Sequence, residues 1–378
     1  MCDECVADSA LKAFIRATAD AMTCSFCGRS SSQAIAADAD AVVAEVESCL
    51  DQEYEDASEM VPVEGGEYVF GFKSTREVLE EELDVDETNE AAFDYIVAHV
   101  SDKGWVQKNF FSLHPYDVLT YGWEEFAEAI KHRTRYLFFP PRPKAQWPTD
   151  NESIRPEDML DRLGRLIRGT RLIKRLRAGR MLYRVRPHDA AISPSTLSEL
   201  GPPPADRAIR PNRMSPAGIS MLYAATSPET AIAESIDPKT GRLQGTLATL
   251  RLETDVRVVD FVRLPASPTI FTPDTMPDER AALHFVHAFA REISRPIERD
   301  DREHIEYVPT QVVTEYLRYR FRTRRGPVQG LRYASARREL GANIALFVGY
   351  DDIEPPEFTE PESPVRLSLV AHQPISIP

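Results

Sequence analysis

Arg213, Tyr223 and Glu234 fall within 22 positions of the stretch RMSPAGISMLYAATSPETAIAES. An arginine there could offer phosphate its fixed fork of donors, and a carboxylate could stabilise positive charge developing on a bound group. Between them, Ser227 is suited to cap a helix and Pro228 to its first position, so a helix is expected directly after the strand MLYAAT. Glu229, in the first turn, fits a surface residue favoured by the helix dipole. Glu234 comes later, beside Ala231 and Ala233. Small apolar neighbours suit a carboxylate that faces a pocket, but exposed helical glutamates are common, and the residues alone leave both readings open.

A second set of residues with chemistry is Cys2, Cys5, Cys24 and Cys27, spaced C-x2-C-x18-C-x2-C. Two close pairs at this separation match two knuckles that supply four thiolates to one tetrahedral ion, so a structural Zn2+ site is expected. A disulfide framework would need an oxidising compartment, and MCDECVADSALK has acidic residues where an export signal would be basic. Cys49, at an apolar helical position in AVVAEVESCL, is expected to be a buried bystander.

The elements that must position these residues divide along the chain. With 378 residues, two cores are expected, and 42% apolar with 28% charged residues is the composition of a globular protein. The apolar runs are far shorter than the roughly 20 residues that span a bilayer, so no membrane partner and a cytoplasmic location are expected. The net charge of −15 is uneven: residues 1–100 carry 24 acidic against 5 basic residues, the remainder 36 against 40. Recurrence of apolar residues at three and four predicts helices through residues 33–140, with a capping box at Ser74 and Glu77. We expect a zinc-knuckle and helical domain at 1–140, a Pro-rich linker at 141–160 and a second domain at 161–378. Within that domain, nine Lys and Arg between Arg162 and Arg184 alternate with a Leu/Ile stripe at helical spacing. They read as a solvated helix face or a domain contact, and the lack of interleaved aromatics argues against nucleic acid. After Gly179, short runs such as RMLYRVRP, LATLRLETDVRVVDFV and NIALFVGY predict strands between helices. The fold class expected is α+β: a helical bundle with zinc knuckles, then a sheet with helices. No Gly-x-Gly-x-x-Gly or Walker-type loop points to a doubly wound nucleotide domain.

LYRV, the 213–235 stretch, PTQVVTEYLR and GLRYASAR together resemble, in order over about residues 178–350, the RES domain. The N-terminal part, with its double CxxC and WEEFAEAIKHRTRYLFF, resembles the HEPN-type domain found ahead of some RES domains. The resemblance implies an ADP-ribosyltransferase-like split β-core around an NAD+ cleft, and an NAD+-degrading toxin held in check by an antitoxin or regulatory partner. It carries over Arg184 and Arg213 to anchor the diphosphate or nicotinamide ribose, and Tyr223 to stack on the nicotinamide. Glu234 would stabilise the ribose cation, and Ser335 would bond the ribose or orient Glu234. Met214 stands where a bulky aromatic is usual. The reaction implied is NAD+ glycohydrolysis or phosphorolysis, with mono-ADP-ribosyl transfer to a macromolecule as the alternative. A HEPN-type ribonuclease is disfavoured, because none of His99, His114 and His132 follows an arginine at the Arg-x4-6-His spacing. Arg299 and His304 have the spacing but lie in the other half of the chain.

Overall fold

Short polar side chains start the N-terminal helices by accepting the free N–H groups of the first turn. Asp8 takes those of Ala10 and Leu11 ahead of α1 (Ser9–Thr18), and Asp38 that of Asp40 ahead of α2 (Ala39–Glu53). Ser74 and Glu77 form the expected capping box at α3 (Thr75–Glu82), and Asn89 caps α4 (Glu90–His99) through Ala92. The computed structural model describes residues 1–61, 63–64, 67–68, 71–108, 112–136, 154–189, 193–236, 244–296, 302–354 and 363–377.

The chain forms two units, Met1–Val118 with Ala266–His284, and Leu119–Pro265 with Phe285–Pro378. In the first, the apolar faces of the helices bury Leu11, Ile15, Val42, Val46, Leu50, Leu79, Ile96 and Trp105. Ile270 and Phe271, from the returning segment, complete that core. The unit is not purely helical: Tyr54–Asp56 pairs antiparallel with Trp105–Gln107. The aromatic ends of that pair suit a half-buried pleat.

α5 (Pro115–Glu128) continues into a π turn at Ala129–Arg133. Most of the expected linker, 141–153, lies outside the described residues, and its last residues are already helical in α6 (Pro156–Gly169), where Pro156 takes the first position. The helical reading of the basic run is corrected beyond Gly169. Arg171 takes a left-handed φ of 56°, and Ile173–Leu176 is a strand. Ile173 and Leu176 flank two cations at an edge, a four-residue pattern that periodicity does not separate from a helix.

The second unit is built on eight strands: β1 (Ile173–Leu176), β2 (Met181–Pro187), β3 (Leu222–Ala225), β4 (Gln244–Leu252), β5 (Val256–Asp260), β6 (Gly330–Ala334), β7 (Ala342–Leu346) and β8 (Leu367–Ser376). Their order is β8-β4-β2-β3-β7-β6-β5-β1, antiparallel throughout except the parallel pair β5–β6. The fold is α+β. One face of the sheet buries Leu182, Leu222, Ala224, Leu250, Ile344 and Leu346. On the other, Ala225 and Leu247 pack with Ala231 of α7 (Pro228–Ser235). β2 and β3 share one register pair, Tyr183↔Ala225, so the sheet is nearly divided there. The connection from β5 to β6 includes α8 (Pro277–Ser294) and α9 (Val308–Glu315). Among the described residues, no helix is long and apolar enough to cross a membrane.

Candidate functional site

Ser227 caps α7 by accepting the Thr230 N–H, with Pro228 in the first turn, and so directs the helix straight off β3. This brings Glu234 in the last turn to the ends of β6 and β7. Its Oε1 accepts two bonds of 2.6 Å, from Ser335 Oγ and Asn343 Nδ2. Ser335 Oγ also accepts the N–H groups of Arg337 and Arg338, both at 3.1 Å, so its single proton is committed to Glu234. Among the described residues no donor reaches Oε2. Gly341 closes the turn beyond Ser335: a Cβ there would stand 2.9 Å from Thr230 Oγ1, 3.0 Å from the Arg338 carbonyl and 3.1 Å from Ser335 Cβ.

Tyr223 is held by its hydroxyl. It accepts the Met214 N–H at 3.2 Å and shares a 2.9 Å hydrogen bond with Ser215 Oγ. Burial keeps the phenol neutral by raising its pKa, although both partners favour the ionised form. The Asn212–Ser215 turn is in turn fastened to α9. Gln311 Nε2 donates to the carbonyls of Asn212 at 2.8 Å and Ser215 at 3.3 Å, and Thr310 Oγ1 donates to that of Arg213. Thr314 Oγ1 reaches Met214 Sδ at 3.4 Å, so the residue that departs from the usual aromatic packs inward against α9.

The two arginines differ in their partners. Arg213 donates to the carbonyls of Ile293 and Arg295 at the end of α8, at 3.0 and 2.6 Å, and lies 5.4 Å over the Tyr307 ring. A cation suits the carbonyl end of a helix. Arg184 donates to the Tyr223 carbonyl at 2.7 Å, where the β2–β3 ladder opens, and its enclosed Nε has no partner. Burial, then the neighbouring Arg186, lowers its pKa to about 10, which still leaves it cationic at neutral pH. Among the described residues it forms no ion pair, and a half-buried cation without a counter-charge favours an arriving anion. Tyr333 joins the two sides of the site: burial, with Tyr223 and Glu234 close by, raises its pKa, and Arg213 and Tyr307 also act on it.

The structure thus gathers Glu234, Ser335, Tyr223, Arg184 and Arg213 around one end of the sheet, with Arg213 turned to backbone carbonyls. Asn343 and Gln311 were not foreseen as site residues. Each is a polar residue in an apolar run, NIALFVGY and PTQVVTEY, and both are buried. That mismatch was the available signal.

Cys2, Cys5, Cys24 and Cys27 form a separate centre. Their Sγ atoms all lie within 4.8 Å of one another, with Cys2–Cys5 at 3.7 Å, Cys2–Cys27 at 3.5 Å and Cys5–Cys24 at 3.6 Å. An ion held tetrahedrally by thiolates at about 2.3 Å requires sulfurs about 3.8 Å apart, so the four fit a metal ion. Burial opposes ionisation of Cys24, yet the N–H groups of Cys27, Phe26 and Cys2 outweigh it and hold its pKa at about 6. Cys49 lies in α2 with its Sγ 3.9 Å from Glu45, and burial pushes its pKa up to about 11.

Elemental analysis of the purified chain should find about one metal ion, and a chelator should remove it with loss of helical signal and a lower melting temperature. No metal and an unchanged melt would rule the centre out. Gly341→Ala should lower the stability of the second unit by about 1–3 kcal/mol through overpacking against Ser335 and Thr230, read by thermal or denaturant unfolding. An unchanged midpoint would mean the turn has room to relax.

Comparison with known families gives two matches, HEPN/RES N-terminal domain 1 over residues 17–144 and the RES domain over residues 181–363. No curated protein and no solved structure matches the chain. The second match spans Arg184, Arg213, Tyr223, Glu234 and Ser335; the first includes Cys24 and Cys27 and begins after Cys2 and Cys5. The hydrogen-bonded cluster around Glu234 therefore lies wholly within a recognised domain, and the chain belongs to the RES-domain family, with a HEPN/RES N-terminal domain ahead of its RES domain.

Proposed function

We propose that the chain cleaves the nicotinamide–ribose bond of NAD+ as a glycohydrolase or phosphorylase. The observation that carries this reading is a carboxylate with one oxygen fixed by Ser335 and Asn343 and the other without a donor among the described residues, together with the half-buried Arg184, which forms no ion pair among them. As the C1′–N bond breaks, its electron pair leaves with nicotinamide and positive charge spreads over the ribose. Glu234 faces that charge and accepts a ribose hydroxyl at Oε2, and Ser335 and Asn343 hold its orientation. Arg184 meets the diphosphate. Tyr223, tethered by its hydroxyl, offers its ring to the nicotinamide. Arg213 joins the end of α8 to the Met214 turn and so shapes the wall of the cleft. Water or inorganic phosphate then adds to C1′, and its proton passes to solvent. The metal of the cysteine centre is assigned as zinc with a structural role, since four thiolates close its coordination shell. An antitoxin that covers the cleft would be the regulatory partner of such an enzyme.

Purified full chain should consume NAD+ and release nicotinamide, while Glu234→Gln, which keeps the shape and removes the charge, should be slower by on the order of 10²–10³-fold. Product masses with and without phosphate identify the acceptor. Equal rates for the two proteins, or intact NAD+ with both, would overturn the proposal. Label from NAD+ retained on protein or nucleic acid would instead support ADP-ribosyl transfer through the same cleft. A ribonuclease reading has less support: His99 stacks on Tyr95 and shares its Nδ1 with the Tyr95 carbonyl, His132 is nearest Glu128, and Arg299 is outside the described residues.

A further inference from the structure

A basic cleft opens at the edge of the large sheet, where β1 is the outermost strand. It is an open cavity of about 750 Å³, lined by Lys174, Arg175, Arg177, Arg180, Arg263 and Arg332, with Asp260 as its one carboxylate. Register places Arg332 beside Asp260 on one face of the sheet. The pleat therefore turns the next residue, Tyr333, and the Glu234 cluster with it, to the other face.

The charges in this cleft do not balance. Asp260 is already saturated: Oδ2 accepts Arg332 Nη1 at 3.0 Å, and Oδ1 accepts the N–H groups of Val262 and Arg263 at 2.9 and 3.0 Å. Arg175 pairs with Asp255. Lys174, Arg177, Arg180 and Arg263 make no ion pair among the described residues. Arg332 is only 8% exposed, and its enclosed Nε has no hydrogen-bond partner. A buried guanidinium that is paired with Asp260 but keeps an unmet donor, beside four cations unpaired among the described residues, is a concentration of positive charge that favours an arriving anion.

We propose that this cleft binds a ligand bearing a linear chain of phosphates. Lys174 stands in β1 and Arg177 directly after it, three residues further on, a reach of up to about 10 Å of chain, so the cations span more than one phosphate group. Guanidinium forks suit successive phosphates, and the cavity has the size of a small-molecule site. Among the described residues no aromatic side chain lines it, so they offer no stacking platform of the kind that single-stranded nucleic acid uses. The proposal is independent of the NAD+ reading, whose Glu234 cluster lies on the other face of the sheet.

The test is calorimetric titration of the full chain with inorganic tripolyphosphate and, in parallel, a nucleoside triphosphate. Binding of either is expected, weakening steeply with salt, and the ratio of the two affinities tells whether a base adds contacts. Combined Arg177→Ala, Arg180→Ala and Arg263→Ala substitutions, all at exposed positions, should weaken binding at least tenfold, whereas the three corresponding Lys substitutions should retain most of it. Glu234→Gln and Arg184→Ala should leave the affinity unchanged. The proposal is overturned if neither phosphate compound binds, if the triple Ala variant binds as the parent does, if Arg184→Ala abolishes binding, or if a single-stranded oligonucleotide binds more tightly than tripolyphosphate.

Discussion

Across the middle of the large sheet, β2 and β3 share a single residue pair, Tyr183↔Ala225. A ladder reduced to one rung leaves backbone polar groups that must find other partners. Arg184 meets one of them, the carbonyl of Tyr223, and in doing so is itself held in the opening. The sheet stays together because apolar layers cover both faces: Ala225, Ala231 and Leu247 on one, and Leu182, Leu222, Ala224 and Leu250 on the other. The opening therefore makes room for a cation at the centre of a sheet and fixes the strand that carries Tyr223. α7, which follows that strand after two residues, inherits its placement.

Orientation of Glu234 depends on a division of labour among donors. Asn343 and Ser335 both address Oε1, and the serine is locked into this role because two backbone N–H groups occupy its acceptor side. A carboxylate held by one oxygen keeps a fixed plane, so the second oxygen has a defined direction before any ligand binds. Such preorganisation is what an electrostatic site requires, since nothing need rearrange as charge develops. The wall opposite is built by a different means, with Thr310 and Gln311 side chains closing on backbone carbonyls of the 212–215 turn.

Local signals in the sequence are most legible where one or two residues decide the structure. The Ser74–Glu77 box, the Ser227 and Pro228 helix start and the double CxxC all act through short-range geometry, and each recurs in the structure as expected. The order of the RES-like motifs also placed Glu234, Ser335 and Tyr223 in one neighbourhood. Non-local features had no such mark. Four residues at Ile173–Leu176 read as the continuation of a basic helix, because only pairing with β5 makes them a strand. Asn343 and Gln311 needed partners 109 and 96 to 99 residues away to show what they do. The passage of residues 266–284 into the core of the first unit depends on Ile270 and Phe271, ordinary apolar residues whose destination no local pattern records.

That excursion has a consequence for how the protein comes into being. The first unit uses residues up to Val118 and then Ala266–His284, so its core is incomplete while the intervening chain is synthesised. At ordinary rates of translation the gap lasts on the order of ten to thirty seconds, during which the cysteine centre must either hold its helices alone or wait. The same excursion lies on the β5 to β6 connection, whose closure also delivers α9 and the carbonyls that grip Arg213. The nascent chain thus reaches residue 284 before the part that carries the four cysteines can be finished, and residue 335 before Glu234 has its serine. Maturation of the two ends of this protein is therefore ordered by topology, and the site at Glu234 is among the last things assembled.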